Sequence, residues 1–372
     1  MVQRVSAVVA QRVSSLRVLI AGGGTGGHVI PALAIARELR GTYGAEVELL
    51  GTSRGIETRL VPEAGFPLHL VEVGQLANVS LLTRARTSLG LPLAVRQCLQ
   101  LLSRFRPHVV IGVGGYASGP AMMAAIARRY PTTVYEPNAY PGMVNRTVGR
   151  FVGAAAVAYE ETMPFFRRAV LTGVPVRQEI VAAGPLQTTL PRLLITAGSN
   201  GARVFNELLP EVLLALLTAV PGLTVVHQTG ERAFPATEAA VRAHGVGVNQ
   251  VHVAPFLQDM PLQLDRATLV LARAGSTVAE LAAAGRPALL VPFPRAADDH
   301  QTKNALAMVR GGAAEMLPEA TLTPALLLER LTWLLRSPDL LLSMSTKARA
   351  MSRPGALKEI AAMAVSIARQ EP

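Results

Sequence analysis

The chain has one cysteine, Cys98, and one tryptophan in 372 residues. A single thiol excludes an internal disulfide and suggests no metal site, so Cys98 is expected to be a buried bystander. Six tyrosines and nine phenylalanines leave little for base stacking. No nucleic-acid motif occurs either, and nucleic acid is not expected as a partner. Half of the residues are hydrophobic, yet no apolar run reaches the ~18 residues that suggest a membrane span. Asp298 and Asp299 are adjacent, and no Asp-x-Asp pair is present, so no tightly bound metal is expected. Acids are also missing locally. None lies between Val73 and Tyr135, where Arg84, Arg86, Arg96, Arg104, Arg106, Arg128 and Arg129 all fall. Residues 1–175 carry a net charge of +9, against +2 for the remainder. A basic face of this kind suits an anionic membrane surface or an anionic substrate, the ordinary alternative being arginines that solvate helix faces. Residues 1–15 lack the apolar core and cleavage site of a signal and read as a disordered extension.

What is present is a series of apolar strands, each followed by a glycine-rich or polar turn and a helix. The length suffices for two domains, each with its own core. Leu16 to Ala21 reads as a buried strand, and GGGTGGHVIP from Gly22 leads into an apolar helix, the opening of a Rossmann-like unit. The next strand, Val47 to Leu50, ends without an acid, so NAD is not expected. His28 stands near the start of that first helix, where a histidine tends to be neutral. It can serve as a general base, contact a substrate, or order the loop. A second glycine loop, Gly114-Gly115-Tyr116-Ala117-Ser118-Gly119-Pro120, follows the strand His108 to Val113. Two such loops on adjacent strand ends fit a diphosphate lying across them. Asn138, in the turn Glu136-Pro137-Asn138, can both donate and accept, as a sugar hydroxyl or acetamido group requires. In the second half, strand Leu193 to Thr196 leads to Ala197–Arg203, where Ser199 beside a helix N-terminus suits phosphate.

The densest stretch is LARAGSTVAELAAAGRPALLVPFPRAADDHQTKN, from Leu271 to Asn304. It reads as strand, turn, helix, strand, turn and helix start. The helix opening at Ser276-Thr277 offers unpaired amides to a diphosphate, and Glu280, one turn in, can accept from a sugar diol. This stretch resembles the nucleotide-sugar motif of glycosyltransferases with two facing Rossmann-like domains. It looks close to the bacterial transferases that add N-acetylglucosamine to a lipid-linked muramyl-pentapeptide, although its Arg273–Thr277 turn is one residue shorter than usual there. GGGTGGHVIPALAIA, the Gly114–Pro120 string, PNAYPGMVNR, Thr172–Arg177 and Ala197–Arg203 match the same family in order.

The resemblance implies an α/β fold of two doubly wound domains around a cleft. Residues 16–175 would face the acceptor and membrane, 176–355 would bind the UDP-sugar, and a helix over 356–372 would cross back to the first domain. It implies donor contacts from Thr25, Gly26, Gly27, Asn138, Arg177, Ser199, Leu257, Ser276, Thr277, Glu280 and Gln301. Acceptor contacts are implied for Gly24, Gly114, Gly115, Tyr116 and Ser118, with His28 as candidate base. The backbone at Leu257 would pair with the uracil edge. Glu57 is expected either at the acceptor or as a solvated helix charge. The implied reaction moves N-acetylglucosamine from UDP-N-acetylglucosamine to an undecaprenyl-diphosphate-linked muramyl-pentapeptide. It would take place at the cytoplasmic face of the cell membrane, with peripheral attachment. A related glycolipid transferase, a UDP-N-acetylglucosamine epimerase and a non-catalytic nucleotide-sugar binder are the alternatives. Three local expectations complete the reading. A helix from Pro92 to Phe105 faces the core through Leu93, Val95, Leu99 and Leu102; Ala182–Pro191 is a linker; and Trp333 lies in the second core.

Overall fold

The computed structural model describes residues 15–73, 81–247 and 249–369, and for residues 81–89 the backbone alone. The first half alternates β1 (Arg17–Ala21), α1 (Gly26–Tyr43), β2 (Glu46–Gly51), α2 (Glu57–Glu63) and β3 (Leu68–Leu70). It continues through α3 (Leu81–Phe105), β4 (Val109–Gly112), α4 (Ser118–Ala127), β5 (Thr132–Glu136) and α5 (Met143–Val148). Strands β6 (Ala154–Val157) and β7 (Ala169–Leu171) complete a seven-stranded sheet, and α6 (Gln178–Val181) opens the passage to the second half. There follow β8 (Arg192–Thr196), α7 (Arg203–Ala219), β9 (Thr224–Gln228), α8 (Phe234–Ala243), β10 (Val251–Ala254) and α9 (Met260–Arg266). Next come β11 (Leu269–Ala272), α10 (Thr277–Ala284), β12 (Ala288–Leu290), α11 (His300–Arg310) and β13 (Ala314–Met316). Helices α12 (Pro324–Leu335), α13 (Pro338–Met351) and α14 (Ala356–Ala368) end the chain.

Both sheets are parallel and doubly wound, in the orders β3-β2-β1-β4-β5-β6-β7 and β10-β9-β8-β11-β12-β13. The continuous apolar runs of β4, β8 and β11 explain this, because strands covered by helices on both faces must be hydrophobic throughout. Each sheet has a buried cluster on either side. Helix α14 belongs to the first domain's core, where Ile360, Ala361, Ala364 and Val365 pack with α1 and the β4–β6 strands.

Each sheet reverses direction beside its first strand, and there the loops are pressed together. A Cβ on Gly115 would stand 2.3 Å from the Gly23 carbonyl oxygen, and one on Gly201 only 1.8 Å from the Thr229 carbonyl oxygen. Both residues also have positive φ, +81° and +67°, which side chains disfavour. These contacts put the loops of adjacent strands into one surface at the carboxyl edge of each sheet, where open α/β sheets bind ligands.

Three expectations need correction. Helix α3 starts at Leu81 and runs through Pro92. Its inner face is Ala94, Cys98, Leu102 and Phe105, while Leu93 is exposed and Val95 and Leu99 pack only partly. The 4,4,3 spacing of that face carries the helix, and the bond lost at Pro92 falls on the exposed side. Trp333 is 44 % exposed and lies under Arg330, 4.4 Å from its ring centre. The segment 182–191 is a fitted connection: Ala183 and Leu186 are buried, and Gly184 N donates to Asp265 Oδ1 at 2.7 Å. Cys98 is buried, which pushes its thiol pKa up to about 12 and leaves it unreactive.

Gly201→Ala must move either its own backbone or that of Thr229. A loss of more than about 1 kcal/mol is expected, read as a lower Tm in a thermal melt. An unchanged Tm would mean that the two loops do not touch.

Candidate active site

The carboxyl edges of the two sheets meet through α11. Asn304, buried on that helix, accepts from Ala139 N at 2.8 Å and donates to Asn138 Oδ1 at 3.3 Å and to the Ala274 carbonyl at 3.1 Å. Around it, Lys303 Nζ lies 3.4 Å from the Tyr140 ring centre, Arg146 is 3.9 Å from Asp298, and Arg310 pairs with Glu161. Asp298 and Asp299 both have left-handed backbone, with φ of 51° and 53°. The cleft therefore has the glycine loops of β1 and β4 on one side and the openings of α7 and α10 on the other.

On the first side, His28 is the third residue of α1, and its Nδ1 lies 3.3 Å from Thr25 Oγ1. Burial lowers its pKa, the Gly23 carbonyl raises it, His300 across the cleft lowers it, and Glu57 raises it; the net direction is down. His28 is thus neutral near pH 7, as a base must be. Its ring edge lies against Gly114, where a Cβ would stand 2.9 Å from Cδ2. Thr25 and Gly27 are exposed, while Gly26, Gly115 and Tyr116 are half-buried. Gly24 offers less than expected, since its N–H donates to Glu57 Oε2 at 2.8 Å. Ser118 is fully buried behind Gly112 and does not reach the cleft surface.

On the second side, Ser276 and Thr277 open α10 with no side-chain cap; Val278 N and Ala279 N donate to the Gly275 and Ser276 carbonyls at 3.3 and 3.2 Å, so the amides left for an anion are those of Ser276 and Thr277. Glu280 Oε1 lies 3.5 Å from Arg177, which is 53 % exposed. Burial raises the Glu280 pKa, and Arg177 opposes the shift. Gln301 Oε1 accepts from Phe293 N at 2.9 Å, and its amide nitrogen faces Gly275. Ser199 is exposed in the loop before α7. Leu257 is buried, and its N–H donates to Gln228 Oε1 at 3.0 Å while Gln228 Nε2 donates to the Gly198 carbonyl at 2.7 Å. An incoming base edge must therefore use another Leu257 atom or displace Gln228. Arg273, first residue of the turn, is an anchor: it donates to the Val291 and Pro292 carbonyls and pairs with Glu319 at 2.5 Å.

Two polar residues escaped the sequence reading, and a third was misplaced by it. Glu136, buried at the end of β5, accepts at 3.0 Å from Asn138 N, Asn138 Nδ2, Gly142 N and Asn145 Nδ2. Burial raises its pKa against those four hydrogen bonds. The signal was available, since an acid ending a buried strand before a Pro-Asn turn must find donors in that turn. Asn138 is thus engaged on both amide atoms, by Glu136 and Asn304. Glu57 is neither at the acceptor nor solvated; it is 1 % exposed beneath the first glycine loop. Asn304 carried no local signal, because its partners lie 30 or more residues away.

Residues 18–157 match the glycosyltransferase family 28 N-terminal domain, and residues 192–360 match the family's C-terminal domain. A protein of Syntrophotalea carbinolica, named UDP-N-acetylglucosamine--N-acetylmuramyl-(pentapeptide) pyrophosphoryl-undecaprenol N-acetylglucosamine transferase, is 41% identical over 96% of this chain and 100% of its own length. A Pseudomonas aeruginosa protein of the same name is 40% identical over 95% of this chain and 99% of its own. The crystal structure of Acinetobacter baumannii MurG superposes with a TM-score of 0.79 at 31% identity, covering 94% of this chain and 99% of that one. A Neisseria meningitidis UDP-GlcNAc 2-epimerase shares the fold alone, with a TM-score of 0.66 at 15% identity over 94% of this chain and 100% of that one. The chain belongs to glycosyltransferase family 28.

Proposed function

We propose that this protein transfers N-acetylglucosamine from UDP-N-acetylglucosamine to the 4-hydroxyl of an undecaprenyl-diphosphate-linked muramyl-pentapeptide, inverting the donor's anomeric centre. The observation that carries this reading is the likeness over nearly the whole chain to relatives whose names state the transfer. The cleft has the parts the chemistry needs. His28, neutral beside the glycine loops, takes the proton of the attacking hydroxyl. The amides of Ser276 and Thr277 at the start of α10, with Arg177, stabilise charge that grows on the departing diphosphate. Glu280 exchanges its long contact with Arg177 for the ribose diol, freeing the guanidinium for phosphate. The reading includes no tightly bound cofactor.

An acceptor with a polyprenyl tail stays in the bilayer, so the enzyme must come to it. No helix among the described residues is long and apolar enough to cross a membrane. Attachment on the cytoplasmic leaflet would then be peripheral, through the acid-free basic region of the first domain. Each Lys or Arg near such an anionic surface contributes ~1 kcal/mol. The contact would be made by Arg84, Arg86 and Arg96 with inserted Leu81 and Leu82; Arg96 is exposed on α3, and the other four stand on its first turns, outside the described side chains.

UDP release from UDP-N-acetylglucosamine, with and without the muramyl-lipid acceptor, tests the reaction. Acceptor-dependent release is expected, and turnover on the donor alone would favour the epimerase reading. Glu280→Ala removes a charge-assisted contact and should weaken UDP binding by about 10- to 150-fold in calorimetry; unchanged affinity removes Glu280 from the donor site. His28→Asn should lower kcat by about 10²–10⁴ with donor affinity nearly intact. A stable variant with parental kcat takes His28 out of the mechanism. Replacing Arg84 and Arg86 together by Glu should reduce co-sedimentation with anionic vesicles, in a salt-sensitive way, and leave UDP affinity alone. Equal sedimentation of variant and parent would place the membrane face elsewhere.

A further inference from the structure

Beneath the first glycine loop sits a carboxylate for which the transfer reaction as described has no use. Glu57 is the first residue of α2, and its side chain turns back between the loops after β1 and β2. Oε2 accepts from Gly24 N at 2.8 Å, and Oε1 accepts from Thr52 N at 2.8 Å and Thr52 Oγ1 at 2.9 Å. The space it fills exists only because three neighbours lack side chains. A Cβ on Gly23, Gly51 or Gly55 would stand 2.2, 2.6 or 1.9 Å from Glu57 atoms. Burial pushes its pKa up, but the hydrogen bonds from Thr52 and Gly24 prevail, and the net direction is down. A full negative charge is therefore sealed under the loop, with donors on both oxygens and no cation paired to it among the described residues.

An apolar residue would fill the same space, but would leave the N–H groups of Gly24 and Thr52 without an acceptor. What the charge adds is directional. It fixes Gly24 by its N–H and wedges against Gly23, whose carbonyl acts on the His28 ring. The groups acting on that ring are Gly23 from the loop, Glu57 from α2 and His300 from α11, beside Thr25 at 3.3 Å. We infer that Glu57 is a positioning residue for the transfer, its buried carboxylate holding the Gly22–Thr25 loop in the shape that presents His28 to the acceptor hydroxyl. This rests on the proposed reaction and on His28 as its base.

Glu57→Gln keeps the shape but turns one oxygen into an amide nitrogen, which faces the N–H of Gly24 or Thr52 as donor against donor. The loop then loses an anchor, and misplacement of about 1 Å costs roughly 10²-fold in rate. The expected result is a fall in kcat/KM for the acceptor of about 10- to 100-fold, larger than any change in UDP affinity, since most of the expected donor contacts lie in the other domain. The pH profile carries the separate signature. Glu57 favours protonated His28, so removing its charge lowers the His28 pKa, and the acid limb of kcat/KM moves to lower pH. A residue that merely supports the fold would leave that limb in place.

Thr52→Val deletes one hydrogen bond to the same carboxylate and serves as the milder variant, should Glu57→Gln lose its melting transition; a several-fold fall of the same kind is expected. In a His28→Asn background, Glu57→Gln should add little further loss, because both changes act through one group. Parental kcat/KM in a folded Glu57→Gln protein, an unmoved acid limb, or full additivity with His28→Asn would each overturn the assignment. Absence of acceptor-dependent UDP release by the parent protein would instead overturn the reaction itself, and the two failures are read from different samples.

Discussion

One buried side-chain amide holds the two halves of the cleft together. Asn304 belongs to the second domain, yet one of its hydrogen bonds goes to the Ala139 backbone and another to the Asn138 side chain of the first. Its third bond reaches Ala274, at the start of the turn that leads into α10. An amide has a fixed set of donors and an acceptor, so this arrangement is satisfied only when both loops stand in register. Opening the cleft breaks two of these bonds and leaves two donors and two acceptors to find water, and the exposed pairs around Asn304 contribute little by comparison. The diphosphate turn of one domain and the sugar-side loop of the other are thus coupled through a single residue.

The same economy recurs in the first domain, where two acids are buried with no cation paired to them among the described residues. Glu136 organises the loop after β5 and Glu57 the loops after β1 and β2. Glu57 is compensated mainly by backbone N–H groups, and Glu136 by two backbone N–H groups and two asparagine amides, donors that a carboxylate can gather from several turns at once. The consequence for function is that loop shape is decided before any ligand arrives. Interactions aimed at a transition state act only if they need no rearrangement when charge develops. A neutral His28 on a loop already fixed from beneath meets that requirement.

The fold was legible because the strands carry it on their faces: apolar runs of four to six residues, each closed by glycine or a polar turn, recur at Rossmann spacing. The glycine loops were legible for the same reason, since their residues sit consecutively in the chain. What escaped was whatever depends on residues far apart in sequence. Asn304 looks like any helix asparagine until Ala139 is placed beside it, and Leu257 looks free until Gln228 takes its N–H. Ser118 shows the opposite error, a residue assigned by its string whose side chain turns into the core behind Gly112. Pro92 misled for a local reason. It resembles a helix start, but the buried face of Ala94, Cys98 and Leu102 outweighs one missing hydrogen bond.

The turn from Arg273 to Thr277 is a sterner test of that distinction, because the resemblance read from the sequence leaves it one residue short of the motif expected there. Shortening changes where α10 begins relative to β11. It does not change where Glu280 stands relative to the helix N-terminus, since Thr277 and Glu280 share the first turn of one rigid helix. The strand end is held independently, by Arg273 bound to the Val291 and Pro292 carbonyls and to Glu319. Any difference in the length of this turn must therefore be absorbed between those two fixed points. Ala274 and Gly275 lie there, one bonded to Asn304 and the other facing Gln301. The amides for the diphosphate and the carboxylate for the diol so keep their mutual geometry, and the adjustment falls on the contacts that α11 makes with the turn.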